Sequence, residues 1–231
     1  MIRTGRAAVA AFLMAATPLM AQTTPPESED IVVLGAGEHG YKLSAEQLRN
    51  AVRAFEQYRS QFSPSAQLVW HIIPKRSDVG LALRNGDERL PIAIAPDGTF
   101  TLPHDRLLTG QWHLVSSASK TTIHIHPRAQ SPGATATRFR FGDAQLTCRV
   151  MWGFRSSDFN FVERGLFNAV GGCTSSRLGI YFASPKPIAA VSIDHWSGKP
   201  TIAKDGMAWR LPMYDKHIGN DDLVHITYRQ P

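Results

Sequence analysis

Apolar and polar residues follow two different periods along this chain, and the change falls at Pro64. Before it, Leu48, Ala51, Val52, Phe55, Tyr58 and Phe62 recur at steps of three and four, with Arg49, Arg53, Glu56 and Arg59 between them. Residues so spaced share one side of a helix. Ser44 precedes the pattern and Gln47 follows it by three, the spacing at which two side chains satisfy free N–H groups of a first helical turn. Proline cannot continue the helix. The pattern predicts one amphipathic helix over 44–62, laid by its apolar stripe on a sheet.

Beyond Pro64 the period becomes two. Val79, Leu81 and Leu83 alternate with Gly80, Ala82 and Arg84, and Asn85-Gly86-Asp87 marks a hairpin turn. Ile92 and Ile94 lead to a second turn at Pro96-Asp97-Gly98, then come Phe100 and Leu102, Trp112 and Leu114, and Ile123 and Ile125. Ser131-Pro132-Gly133 reads as a loop. After it, Phe139 and Phe141 alternate with Arg138 and Arg140, and Gly142-Asp143 reads as a turn. Leu146, Cys148, Val150 and Trp152 alternate with Thr147, Arg149 and Met151, which predicts a strand. Asp158 to Val170 holds a short helix ended by Gly171-Gly172, and strands follow at Leu178–Phe182, Val191–Ile193, Met207–Leu211 and Val224–Tyr228. The expectation is a mainly β protein with one prominent N-terminal amphipathic helix, an α+β fold. Its strands form an antiparallel β-sandwich or small barrel-like sheets, arranged as a helix plus β-region over 41–130 and a second β-region over 131–231, packed as one unit or as two.

The stretch from Leu81-Ala-Leu-Arg-Asn-Gly through Pro91-Ile-Ala-Ile-Ala-Pro-Asp-Gly-Thr-Phe-Thr-Leu102 is similar to exported carboxypeptidase-regulatory-like or transthyretin-like β-sandwiches. The resemblance implies a fold and carries no catalytic residue with it. Elsewhere the chain resembles exported proteins of Proteobacteria.

The first residues set the compartment. Arg3 and Arg6 precede an almost wholly apolar run from Ala7 to Leu19, and Ala21 stands before Gln22. A basic start, a short apolar stretch and a small residue at the exit describe a signal peptide over 1–21, removed on export to the periplasm or beyond. Residues 22–40 read as a flexible leader with a short edge strand at Ile31–Leu34. The glycines at 35, 37 and 40 lack the spacing and the βαβ context of a dinucleotide-binding turn.

Composition narrows the class. Of 231 residues 43% are hydrophobic and 19% charged, with 15 Pro, enough apolar material for a core and too much proline for a coiled coil. After residue 21 no apolar run approaches the roughly 20 residues of a spanning helix, so no transmembrane helix is expected in the mature chain. The formal charge is +6, of which Arg3 and Arg6 supply two. From Gln22 to Ala129 there are 11 basic and 11 acidic residues, and from Gln130 onward 12 and 8, so the mature excess is C-terminal. Such a bias favours anionic partners such as envelope lipids or polysaccharide. It forms no basic block, so no nucleic-acid partner is expected.

Candidate chemistry rests on histidine and cysteine. His124 and His126, two apart in a predicted strand, project from one face while Ile123 and Ile125 take the other. Such a pair can hold zinc or copper if a third ligand joins it, and His113 is the nearest candidate by strand order. The alternative is a polar pair on a solvent face. No Gly-x-Ser-x-Gly or His-Glu-x-x-His motif is present, and Asp194-His195 and Tyr214-Asp215-Lys216-His217 bring acid–base residues together in loop-like contexts. Cys148 and Cys173 are the two cysteines, and in an oxidising compartment they are expected to form a disulfide. The leading reading is an exported, soluble envelope protein, non-enzymatic, that binds or scaffolds an envelope ligand or protein. The rival is a metal-dependent periplasmic hydrolase centred on the His-x-His pair.

Overall fold

The helix expected before Pro64 opens the fold. In the computed structural model, which describes residues 40–76, 78–119, 122–177 and 181–230, strand β1 (Lys42–Leu43) leads into α1 (Ala45–Phe62). The Gln47 N–H donates to Ser44 Oγ at 3.1 Å and the Ser44 N–H to Gln47 Oε1 at 3.0 Å, so the expected cap is formed. Leu48, Ala51, Val52, Phe55 and Phe62 are buried. The signal segment over 1–21, the edge strand at 31–34 and the glycine turn that begins at Gly35 lie outside the described residues.

Strands β2 (Gln67–Ile73), β3 (Leu81–Asn85), β4 (Glu88–Ile92) and β5 (Thr99–Phe100) follow, then a short helix α2 (His104–Thr109), β6 (His113–Ser116) and β7 (His124–Gln130). They form two antiparallel sheets, in the orders β1-β6-β3-β4 and β5-β2-β7. The β3–β4 hairpin turns at Gly86, whose φ of 60° lies in the left-handed region that glycine enters without strain. Leu43, Trp70, Leu83, Leu114 and Ile125 join the α1 stripe in one core.

The largest departure from expectation comes next. After β8 (Arg138–Arg140), the segment expected to turn at Gly142-Asp143 and continue as a strand is a helix, α3 (Phe141–Arg155). Leu146, Val150 and Phe154, four apart, face the first core, whereas Phe141, Ala144 and Cys148, at steps of three and four, face a second one. A helix buried on both sides is apolar nearly all round and loses the single stripe that marks an amphipathic helix. Two superposed stripes read along the sequence as alternation, which is why 146, 148, 150 and 152 imitate a strand. Gly153 admits the close crossing of α3 over α1, because a Cβ placed there would lie 2.8 Å from the Ala54 Cβ and from the Asn50 carbonyl. The Asp143 carboxylate is buried in the first turn of α3. It accepts from Ser63 Oγ at 2.7 Å, from Ser131 Oγ at 2.8 Å and from the Ser131 N–H at 3.1 Å, tying the ends of α1 and β7 to the helix.

A short 3₁₀ turn leads to α4 (Phe161–Ala169), starting at Asn160 within the segment expected to be helical. Strands β9 (Tyr181–Ala183), β10 (Ile188–Ile193), β11 (Thr201–Ile202), β12 (Ala208–Arg210) and β13 (Leu223–Tyr228) complete the chain. They form two more antiparallel sheets, β10-β13-β8 and β11-β12-β9. Phe139, Ile188, Trp209 and Val224 build the second core. The sulfurs of Cys148 and Cys173 stand 2.03 Å apart, with Cα atoms at 6.0 Å, so the expected pair is made, with Cys148 presented by a helix rather than a strand. The fold is α+β, 29% helical and 30% strand, with several small antiparallel sheets, and among the described residues they form no closed barrel. Among the described residues no helix is long and apolar enough to cross a membrane.

Candidate functional site

Two places bring chemistry-bearing side chains together. The first is the outer face of the sheet β5-β2-β7. Antiparallel pairing sets His71 opposite His126, Ile73 opposite His124 and Val69 opposite Arg128. Successive side chains alternate between faces. Leu68, Trp70, Ile72, Ile125 and Ala129 therefore enter the core, while His71, His124, His126 and Arg128 share the other side. The His124 and His126 rings project together, their centroids 6.2 Å apart.

The third imidazole beside them is His71, supplied by the neighbouring strand, and not His113. His113 lies on β6 of the other sheet, opposite Arg84. Among the described residues no three of His, Cys, Asp and Glu gather as metal ligands would. Strand order along the chain points to His113, whereas the β2–β7 register, which the sequence does not display, selects His71.

Burial pushes His71 down to about 4, and the nearby Arg128 cation adds to this while Asp97 opposes it. His126 is lowered by burial, then by His124 and Arg155. His71 Nε2 and His126 Nδ1 are buried without a hydrogen-bond partner. The Arg128 guanidinium stands 5.1 Å from the centroid of the Phe139 ring; burial pushes its pKa down and the Asp143 carboxylate opposes this. At neutral pH this face thus presents the uncharged His71 ring beside the Arg128 cation.

Of the acid–histidine neighbours read from the sequence, Asp194 and His195 are separated by the fold. Asp194 pairs with His225 Nε2 at 3.0 Å, and His195 turns away in a left-handed conformation to meet Asp222 at 3.0 Å. The hydrogen bond and charge of Asp222 raise His195, and the same contact, followed by the Gly219 N–H, lowers Asp222. Asp215 accepts from the His217 N–H and from Trp196 Nε1, both at 2.9 Å. These carboxylates hold turns together at the surface.

The second place is a cleft of about 690 Å³ between α1, α3, α4 and the segment around Gly172. One wall is aromatic. Trp152 of α3 lies between two rings, Phe167 of α4 at 3.7 Å and Phe159 at 5.3 Å, both nearly parallel to it. Gly171 and Gly172, with φ of 98° and 54°, turn the backbone beneath this stack, and Cys173 then reaches back to α3 through its disulfide.

The other lining feature is positive charge. Arg53, Arg149 and Arg164 border the cleft, against one carboxylate, Glu46. Arg149 stands 3.8 Å from the Phe62 ring centroid and 5.5 Å from that of Tyr58, and donates to the Gln145 carbonyl at 3.0 Å. Burial lowers its pKa, and among the described residues no carboxylate pairs with it. Arg53 and Arg164 form no ion pair with a described residue either; the ion pairs of this region involve other side chains, Arg155 with Asp158 at 3.6 Å. An aromatic wall with unbalanced guanidinium groups suits an anionic ligand with an apolar or ring-bearing body. Sequence reading missed this cleft because two of the elements around it are α3, which imitates a strand, and α4, whose placement depends on the Trp152 stack. Comparison with protein-family models, with curated proteins and with solved structures found no match.

Proposed function

We propose that this chain acts by binding rather than by catalysis, as an exported envelope protein whose ligand seat is the cleft between α1, α3 and α4. The observation that carries the reading is the lining of that cleft: three arginines against one carboxylate, beside the stacked rings of Trp152 and Phe167. Export is supported by the basic and apolar start of the sequence. The hydrolase alternative asks for a third ligand at His124 and His126, and among the described residues no such set is gathered.

Two measurements test the reading. N-terminal sequencing of the protein recovered from the periplasm should begin near Gln22, and a retained Met1 in a membrane fraction refutes export. Thermal-shift titration with soluble anions, glycerol phosphate and glucuronate among them, should stabilise the wild type and lose its effect in an Arg53→Gln/Arg164→Gln variant. Equal shifts in both proteins, or none in either, overturn the binding seat. For the hydrolase reading the decisive result is a stoichiometric metal in the native protein together with hydrolytic activity that a chelator abolishes.

A further inference from the structure

Helix α4 is placed unlike the other helices, for none of its nine residues is buried. Its inner side carries Arg164 and Phe167 toward the cleft, and the Phe167 ring on Trp152 holds it in place. Its outer side carries Phe161, Val162 and Leu166, which are 83%, 74% and 64% exposed. At 100° per residue these three lie within about 140° of arc. Single exposed apolar residues are ordinary on a protein surface, whereas a contiguous group on one helix face marks a contact surface.

The charges nearby decide what that surface meets. Asp158 is engaged by Arg155, and the Glu163 carboxylate accepts the Asn160 N–H at 2.9 Å, closing the cap of α4 itself. The cleft arginines have no carboxylate partner among the described residues, and they outnumber Glu46 and the exposed Glu163 three to two. A helix with an apolar outer face, flanked by cations whose charge is not balanced, has the make-up of an interfacial helix, in which apolar burial and attraction to anionic headgroups act together.

We infer that α4 docks the protein onto an anionic lipid surface, with Phe161, Val162 and Leu166 entering the boundary between headgroups and acyl chains and Arg53 and Arg164 meeting lipid phosphates. This deepens the cleft reading and rests on it, naming the anionic ligand as a lipid headgroup presented by a bilayer.

The test is sedimentation of the purified protein, made from the full chain, with two kinds of vesicle: phosphatidylcholine alone, and equal parts phosphatidylcholine and phosphatidylglycerol. The protein should pellet with the mixed vesicles, weakly with the neutral ones, and less as salt is raised. Phe161→Ser combined with Leu166→Gln should weaken binding to mixed vesicles by about tenfold or more. Arg53→Gln combined with Arg164→Gln should weaken it by roughly 25-fold, about fivefold for each arginine, without changing the residual binding to neutral vesicles. Phe161→Leu combined with Leu166→Met, which keeps this face apolar, is the control for substitution on α4 as such, and it should bind nearly as the wild type does. Equal binding to both vesicle types, or binding indifferent to the Phe161/Leu166 change, overturns the inference. If glycerol phosphate stabilises the wild type but no vesicle pellets it, the lipid inference falls and the cleft reading stands. If neither occurs, both fall.

Discussion

Helices α3 and α4 follow one another in the chain and meet opposite surroundings. α3 has apolar residues on two sides and a core against each, Leu146, Val150 and Phe154 on one and Phe141, Ala144 and Cys148 on the other. α4 keeps only Phe167 against α3 and turns Phe161, Val162 and Leu166 to solvent. The two are linked by the Trp152–Phe167 stack and, just past α4, by the Cys148–Cys173 pair. The comparison shows that the apolar content of a helix does not by itself say how deeply it sits. What decides is how many complementary faces the rest of the chain offers it. α3 supports the fold, and α4 is free to do something else.

The largest expected effect sets α3 apart. Leu146→Ala removes a fully buried side chain and should cost about 2–5 kcal/mol in denaturant unfolding, whereas Leu166→Gln on α4 should stay within about 0.5 kcal/mol. Comparable losses from both would dissolve the contrast. Replacing Cys148 and Cys173 together by Ser should cost roughly 3 kcal/mol, read in the same experiment under non-reducing conditions. A loss below about 0.5 kcal/mol would mean that the link to α3 is incidental.

Acid should act on the sheet beneath α3. Burial holds His71 at about 4 in the folded protein, below its ordinary 6.5, so between those values the unfolded chain takes up a proton that the folded one refuses. Stability is therefore complete above about 6.5 and falls as pH drops toward 4, by about 3 kcal/mol at most and less in so far as the half-buried ring keeps contact with water. His126, also lowered, acts in the same direction. His195, raised by Asp222, has the opposite sign but sits fully in solvent. Melting temperature followed from pH 7 to pH 4.5 should decline in the wild type and decline less in His71→Gln, and a parallel decline in both would remove His71 from the account. The smallest expected effect is that of Phe167→Ala. It should cost about 1 kcal/mol overall while sharply raising protease cleavage within 159–170, because α4 loses its stacked anchor. Unchanged cleavage would show that something other than Trp152 holds it.

What could be read from the chain differs from place to place for a physical reason. α1 was legible because it has one buried side, so a single stripe and its Ser44–Gln47 cap stand out. The β3–β4 hairpin was legible because Asn85-Gly86-Asp87 carries the turn in three residues. α2 was missed because six residues make too short a pattern. At the candidate sites, the shared face of His124 and His126 follows from alternation within one strand, but His71 reaches them only through pairing across two.

The sequence alone therefore determined the local features that fit within one turn or one face: the cap of α1, the hairpin turn, the same-side projection of His124 and His126, and, through there being only two cysteines, their pairing. The tertiary structure decided the rest. That 141–155 is a helix depends on having a core on either side of it, since only two opposed apolar surfaces can use a segment apolar in both directions. That Arg53, Arg149 and Arg164 border one cleft depends on residues far apart in the chain being brought together by the packing of α1 against α3 and by the ring stack that carries α4. Local periodicity reports which side of an element is apolar. It holds no information about what lies opposite, and the cleft is made of what lies opposite.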